Sequence, residues 1–184
     1  MDFIATKFKS AFEIQPRIFE DERGYFFESF NQESFNKHVP NTQFVQDNQS
    51  FSTKGVLRGL HFQKPPYAQG KLVRVIQGKV LDVIVDLREE SSTFGEWDSF
   101  ILDAKKSNML FVPEGFAHGF STIEDAIFVY KCTNGYSKIS EGGILWNDEQ
   151  LNIDWGIEAP IVSEKDCELP TFKELTKEMP IFSF

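Results

Sequence analysis

Apolar and polar residues alternate with a period of two along most of this chain. Between Lys71 and Leu87, the runs Lys71-Leu72-Val73-Arg74-Val75-Ile76 and Val80-Leu81-Asp82-Val83-Ile84-Val85-Asp86-Leu87 flank Gln77-Gly78-Lys79. Successive side chains on a strand point to opposite faces, so each run reads as a strand and the glycine-centred triplet as a hairpin turn. In the second run Asp82 and Asp86 share one face, while Leu81, Val83, Val85 and Leu87 share the other. Similar runs predict strands at 11–18, 24–30, 43–50, 56–63, 97–103, 108–113, 117–122, 126–132 and 143–147, separated by Gly, Pro, Asn and Asp. Short helices are predicted at 31–38 and near the C-terminus, where Thr171-Phe172-Lys173-Glu174 matches a capping box. Many short strands without repeat or linker predict an all-β sandwich or jelly roll, one domain over 1–184 with small peripheral helices.

Composition narrows this further. The chain has 184 residues, 41% of them hydrophobic and 20 of them Phe, and rings of that size favour a strand-rich interior. Formal net charge is −9 with no basic run, which argues against a nucleic-acid or anionic-membrane partner. An anionic ligand would need a local cationic pocket. No basic-then-apolar leader opens the sequence and no apolar run approaches a membrane span, so a soluble, unexported protein is expected. Cys132 and Cys167 form no CxxC pair and read as reduced thiols in a cytoplasmic protein.

The densest chemistry lies in Gly55-Val56-Leu57-Arg58-Gly59-Leu60-His61-Phe62-Gln63, followed by Lys71. A histidine takes a proton near neutral pH, and nearby cations can hold an anion; together they suit proton abstraction next to a carbonyl. Of the other two histidines, His38 has a sufficient structural reading at a helix end, and His118 follows the Pro113-Glu114-Gly115 turn. A metal site built on His61 and His118 would be short of ligands, since a catalytic metal usually keeps three protein ligands. A metal-free site is therefore expected. Taken alone, Tyr130 reads as a core tyrosine and Asp166 as a surface acid. Strict alternation puts Arg58 and His61 on opposite faces, so both reach one pocket only if Gly59 breaks the pleat.

Several strings together resemble one family. They are Phe19-Glu20-Asp21-Glu22-Arg23-Gly24-Tyr25-Phe26-Phe27-Glu28, Gln46-Asp47-Asn48-Gln49-Ser50, the 55–63 segment, Lys71-Leu72-Val73-Arg74-Val75, Val85-Asp86-Leu87-Arg88, Pro113-Glu114-Gly115-Phe116-Ala117-His118-Gly119-Phe120 and Glu141-Gly142-Gly143-Ile144-Leu145-Trp146. In this order, from about 12 to 170, they resemble the dTDP-4-dehydrorhamnose 3,5-epimerase family. The resemblance implies a cupin-type jelly roll acting as a homodimer on a nucleotide sugar, without cofactor or metal, in dTDP-L-rhamnose synthesis. His61 matches the family's base, Asp166 its orienting partner, Tyr130 the acid on the opposite face of the sugar, and Lys71 the group facing the C4 oxygen. Arg23, Glu28, Gln46, Asn48, Arg58, His118, Glu141 and Lys165 match substrate contacts, and Tyr136 the aromatic that stacks on thymine. Arg23 and Glu28 are implied to come from the neighbouring subunit. Gly135 departs from the bulkier residue common in relatives, which would loosen the loop that carries Tyr136.

On this reading the C4 ketone of dTDP-4-dehydro-6-deoxy-D-glucose acidifies the hydrogens at C3 and C5, so one base serves both carbons. Arg23, Arg58, Lys71 and Lys165 are expected to gather around the diphosphate. The same residues would serve an epimerase that inverts one carbon only. A non-catalytic sugar-binding module would not need a base facing an acid, and a metal-dependent oxygenase would need more ligands.

Overall fold

The computed structural model describes residues 1–178 and 181–182. Two long strands, β7 (Lys71–Asp86) and β10 (Phe116–Cys132), run antiparallel from Cys132 opposite Lys71 to Phe116 opposite Asp86. Around them lie β1 (Asp2–Ala5), β2 (Phe12–Gln15), β5 (Gln46–Ser52), β6 (Leu57–Gln63), β8 (Trp97–Asp103), β9 (Met109–Val112) and β11 (Glu141–Gly143). The first part of β7 takes β9 on its free edge and the second part takes β8. Likewise β10 pairs with β6 near its start and with β5 near its end. The long pair therefore passes from one face of a jelly roll to the other. Among the described residues only β3 (Phe19–Asp21) and β4 (Gly24–Phe26) stand outside this sheet, as a separate two-stranded hairpin.

The turn expected at Gln77-Gly78-Lys79 is not there. The chain continues through without reversing direction, and what the sequence read as two strands is one strand, β7. The same holds for the pair expected at 117–122 and 126–132, which is the single strand β10. Gly78 has φ +74° and lies so close to Asp125 that a Cβ would meet its carbonyl oxygen at 2.1 Å. Here glycine serves a bend against a neighbouring strand rather than a hairpin tip. The β7–β10 register slips beside it, between Thr122 and Phe128. Side-chain parity changes across the bend: Val73 and Val75 before it and Val80 and Ile84 after it enter one buried cluster with Leu110, Phe120 and Phe128.

That cluster fills one end of the space between the faces. A second cluster, with Leu57, Leu60, Val83, Val85, Ile144 and Trp155, packs the outer side of β6 and β7 under the segment after β11. A third surrounds Phe35 and Phe111 near the N-terminal strands. Fully burying side chains of this size contributes on the order of 1.5–3 kcal/mol each. The helix expected at 31–38 is α1 (Gln32–Asn36), started by Asn31, whose side chain accepts from the Ser34 N–H. His38 lies just beyond it, stacked on the Phe3 ring. α2 spans Glu164–Cys167, and α3 (Phe172–Leu175) carries the expected capping box between Thr171 and Glu174. No helix among the described residues is long and apolar enough to cross a membrane.

Candidate active site

The other end of the interior is polar. A cleft of about 390 Å³ opens there, and Gln46 and Asn48 (β5), His61 (β6), Lys71 (β7), Tyr130 (β10), Glu141 (β11) and Tyr136 line it. Local geometry explains how β6 supplies both His61 and Arg58. His61 pairs with His118, but Arg58 pairs with Phe120, so three residues of β6 span two of β10. The expected irregularity sits at Gly59, where φ is +123° and a Cβ would lie 2.5 Å from the Gly119 Cα. Only glycine allows this approach. The extra residue sends Leu57 and Leu60 to the same outer cluster. Arg58 and His61 are thereby left on the inner side, where the Arg58 Nε donates to the Ser52 hydroxyl at 3.0 Å.

Asp166 reaches the site from the short helix α2, 105 residues beyond His61 in sequence, and its Oδ1 lies 2.7 Å from the His61 Nε2. Backbone bonds between Leu57 and Ile161 and between Ile161 and Gly55 lay this segment along β6. Burial pushes the Asp166 carboxyl up, but the hydrogen bond and charge of His61, the Gly59 N–H and Ser163 outweigh it and hold the group below the usual carboxylate range. An ionised carboxylate only accepts hydrogen bonds, so the His61 Nε2 carries the proton, which leaves Nδ1 as the basic nitrogen of the neutral imidazole.

Across the cleft, burial and the neighbouring Cys132 push the Tyr130 phenol up from its ordinary value, with Arg58 opposing. The group is therefore a proton carrier at neutral pH. Burial pushes the Lys71 ammonium down, while Cys132, Asp82 and Glu141 support its charge. Asp82 is one residue that sequence reasoning left without a role. It is fully buried, and both its oxygens face the His118 Nε2, at 3.0 and 2.9 Å. Burial pushes its carboxyl up, opposed by His118 and Lys71. The available signal was a charge on the inward face of an apolar run, because a buried carboxylate must find partners. His118 is thus held beneath the cleft by Asp82 rather than lining it.

At the rim the Tyr136 hydroxyl donates to Glu141 Oε2 at 3.2 Å, and the Lys165 Nζ lies 2.6 Å from Glu141 Oε1. Burial would raise the Glu141 carboxyl, but Lys165 and Tyr136 hold it low. A Cβ at Gly135 would meet nothing nearer than the Gln46 Oε1 at 4.0 Å, so nothing in this loop requires glycine.

The four expected cations do not gather within one chain. Lys71 lines the cleft, Arg58 and Lys165 stand at its margin, and Arg23 lies on the β3–β4 hairpin, paired with Asp21. Glu28, which accepts from Asn31 at 3.1 Å, is also outside the cleft. Among the described residues, no three His, Cys, Asp or Glu side chains converge as metal ligands.

A jelly roll whose polar end sets a carboxylate-held histidine, a phenol and an ammonium around one cleft has the cupin-type fold and the groups that acid–base chemistry needs. The family model described as dTDP-4-dehydrorhamnose 3,5-epimerase matches residues 5–174, and the enzyme of that name from Shigella flexneri is 53% identical over 168 residues, 90% of this chain and 93% of the relative. The chain belongs to the dTDP-4-dehydrorhamnose 3,5-epimerase family.

The crystal structure of dTDP-6-deoxy-D-glucose-3,5-epimerase from Legionella pneumophila, in complex with dTDP-4-keto-L-rhamnose, superposes with a TM-score of 0.92 at 41% identity, covering 100% of this chain and 99% of that one. ChmJ, a 3'-monoepimerase from Streptomyces bikiniensis in complex with dTDP-quinovose, gives a TM-score of 0.88 at 31% identity, covering 94% and 88%. The activity of this chain is epimerisation of dTDP-4-dehydro-6-deoxy-D-glucose at C3 and C5, giving dTDP-4-dehydro-L-rhamnose in rhamnose biosynthesis.

Proposed function

We propose that His61 is the base, Tyr130 the acid on the opposite face of the sugar, and Lys71 the donor at the C4 oxygen. What carries this reading is the placement of His61, Lys71 and Tyr130 on one cleft, with Asp166 2.7 Å behind the imidazole. The His61 Nδ1 takes the proton from the carbon next to the ketone. The C–H electron pair moves into the ring bond, and the C4 oxygen becomes an enolate beside the Lys71 ammonium. The Tyr130 phenol then gives its proton to the carbon from the other side. His61 returns its proton to solvent and Tyr130 regains one, so the sugar is isomerised with no oxidation. Asp166 holds the imidazole tautomer and stabilises the protonated form. Repeating the sequence after a small pivot of the ring inverts the second carbon.

Gln46, Asn48, Arg58, His118, Glu141 and Lys165 are assigned to substrate binding or its support, and Tyr136 to stacking on the thymine. The test is proton NMR of the protein with dTDP-4-dehydro-6-deoxy-D-glucose in deuterated buffer. Deuterium entry and inversion at both C3 and C5 are expected. Inversion at one carbon would move the chain to the single-centre reading, which the shared fold of the 3'-monoepimerase ChmJ supports, though at 31% identity against 53% for the 3,5-epimerase of Shigella flexneri.

The working unit is proposed to be a cytoplasmic homodimer of one-domain chains, each site completed by Arg23 and Glu28 of the other copy. The β3–β4 hairpin supports this. Phe19 is 52% exposed, Tyr25 67% and Phe26 70%, and large rings clustered on a two-stranded arm call for a covering surface. Two inactive variants, Arg23→Ala and His61→Ala, are mixed under conditions that exchange subunits. If the arm is donated, each mixed dimer has one site with both an intact His61 and an intact Arg23, and activity returns. If Arg23 serves its own chain, the mixture stays inactive.

A further inference from the structure

Gln63 is the last residue of β6, on the same inward face as His61, and only 5% exposed. A buried primary amide must place both its donor and its acceptor, and here both go to the loop that carries Tyr136. Its Oε1 accepts from the Ser137 N–H at 2.7 Å, and its Nε2 donates to the Gly135 carbonyl at 3.1 Å and to the Tyr67 carbonyl at 2.6 Å. One side chain thus grips the backbone on both sides of Tyr136. From the opposite wall, the Gln46 Oε1 accepts from the Tyr136 N–H at 3.0 Å. The Tyr136 ring itself is 62% exposed, so packing does little to fix it. Glycine at 135, where no side chain limits the backbone, increases the need for such a clamp.

We propose that Gln63 is a positioning residue for the nucleotide. It holds the Tyr136 loop in register with β6, so the strand that presents the base His61 also sets where the nucleobase is stacked. The inference rests on the reading of Tyr136 as the thymine-stacking residue. Gln63 itself takes no part in proton transfer.

The experiment measures dTDP affinity by calorimetry, and kcat and KM with the dTDP-linked 4-keto sugar, for Gln63→Met, Tyr136→Ala and the double variant. Gln63→Met is expected to raise both Kd and KM on the order of tenfold, the scale of one or two lost hydrogen bonds, with kcat changed by less than about threefold. In the Tyr136→Ala background the same change should add nothing, because the ring it positions is gone. Gln63→Asn keeps the amide but shortens its reach by one carbon; it should reproduce the effect, and it carries the same cycle if the methionine variant fails to fold.

A Gln63 effect that adds in full to that of Tyr136→Ala, or a fall in kcat with KM unchanged, would overturn the proposal. If Tyr136→Ala leaves dTDP affinity intact, the stacking assignment fails first and the proposal falls with it. If Tyr136→Ala weakens dTDP and both Gln63 variants bind normally, only the role of Gln63 is refuted.

Discussion

Replacing His61 with alanine is expected to stop deuterium entry at both C3 and C5 and to lower turnover by on the order of 10²–10⁴-fold, the usual worth of a positioned acid–base group. Loss at both carbons together is the informative part, because one ketone activates both hydrogens and one imidazole removes them. Near-normal turnover would end the assignment, and loss at a single carbon would require a second base. The fold also registers the change. Asp166 is buried, and its partnership with His61 helps hold its carboxyl below the usual range. A carboxyl depressed in the folded state contributes stability above its unfolded pKa, and that contribution fades as pH falls through the folded value. Without the imidazole, burial of Asp166 is less well offset. The alanine variant should therefore melt below the parent at neutral pH, with the gap narrowing in acid. Thermal melts at neutral pH and at a pH below the ordinary carboxylate range separate this effect from the loss of chemistry.

What could be read from the sequence depended on how local the cause was. Strand positions follow from alternation, and β8 (Trp97–Asp103) falls on the run that predicts it. The 77–79 segment misled because a glycine between two alternating runs looks alike at a hairpin tip and at a bend of one long strand. Only the neighbouring strands decide between them: Asp125 packs onto Gly78, and β8 and β9 share the edge of β7. At Gly59, in contrast, a chemical requirement was enough. Arg58 and His61 must share a face, alternation forbids it, and a bulge is the remaining solution. Local patterns could not bring Asp166 to His61 across 105 residues; that pairing came from the family resemblance. Nor could they find the clamp of Gln63 on the Tyr136 loop, because its partners are backbone groups and leave no mark on side-chain pattern.

Tyr130→Phe should separate the two halves of the reaction. Among the described residues no protein group hydrogen-bonds the Tyr130 hydroxyl, so its removal leaves no orphaned partner, while the ring keeps its contact with Phe128, 5.9 Å between centroids. The variant should fold normally. His61 remains to take the proton and Lys71 to stabilise the enolate, so deuterium exchange at C3 and C5 should fall by less than about tenfold, while inversion falls by on the order of 10²–10⁴-fold. With the acid gone, the enolate is most readily reprotonated by the imidazole that made it. The label then enters the starting configuration, and NMR would show deuterated substrate accumulating ahead of product. Exchange and inversion falling in equal proportion would mean that Tyr130 helps form the enolate, through the C4 oxygen or the position of the sugar. Because burial and Cys132 hold the phenol above its ordinary value, wild-type inversion should persist well into alkaline pH. A fall in inversion at lower pH than the phenol's own loss of its proton would then come from a different group. The ammonium of Lys71, which burial pushes down, is the one placed to cause it.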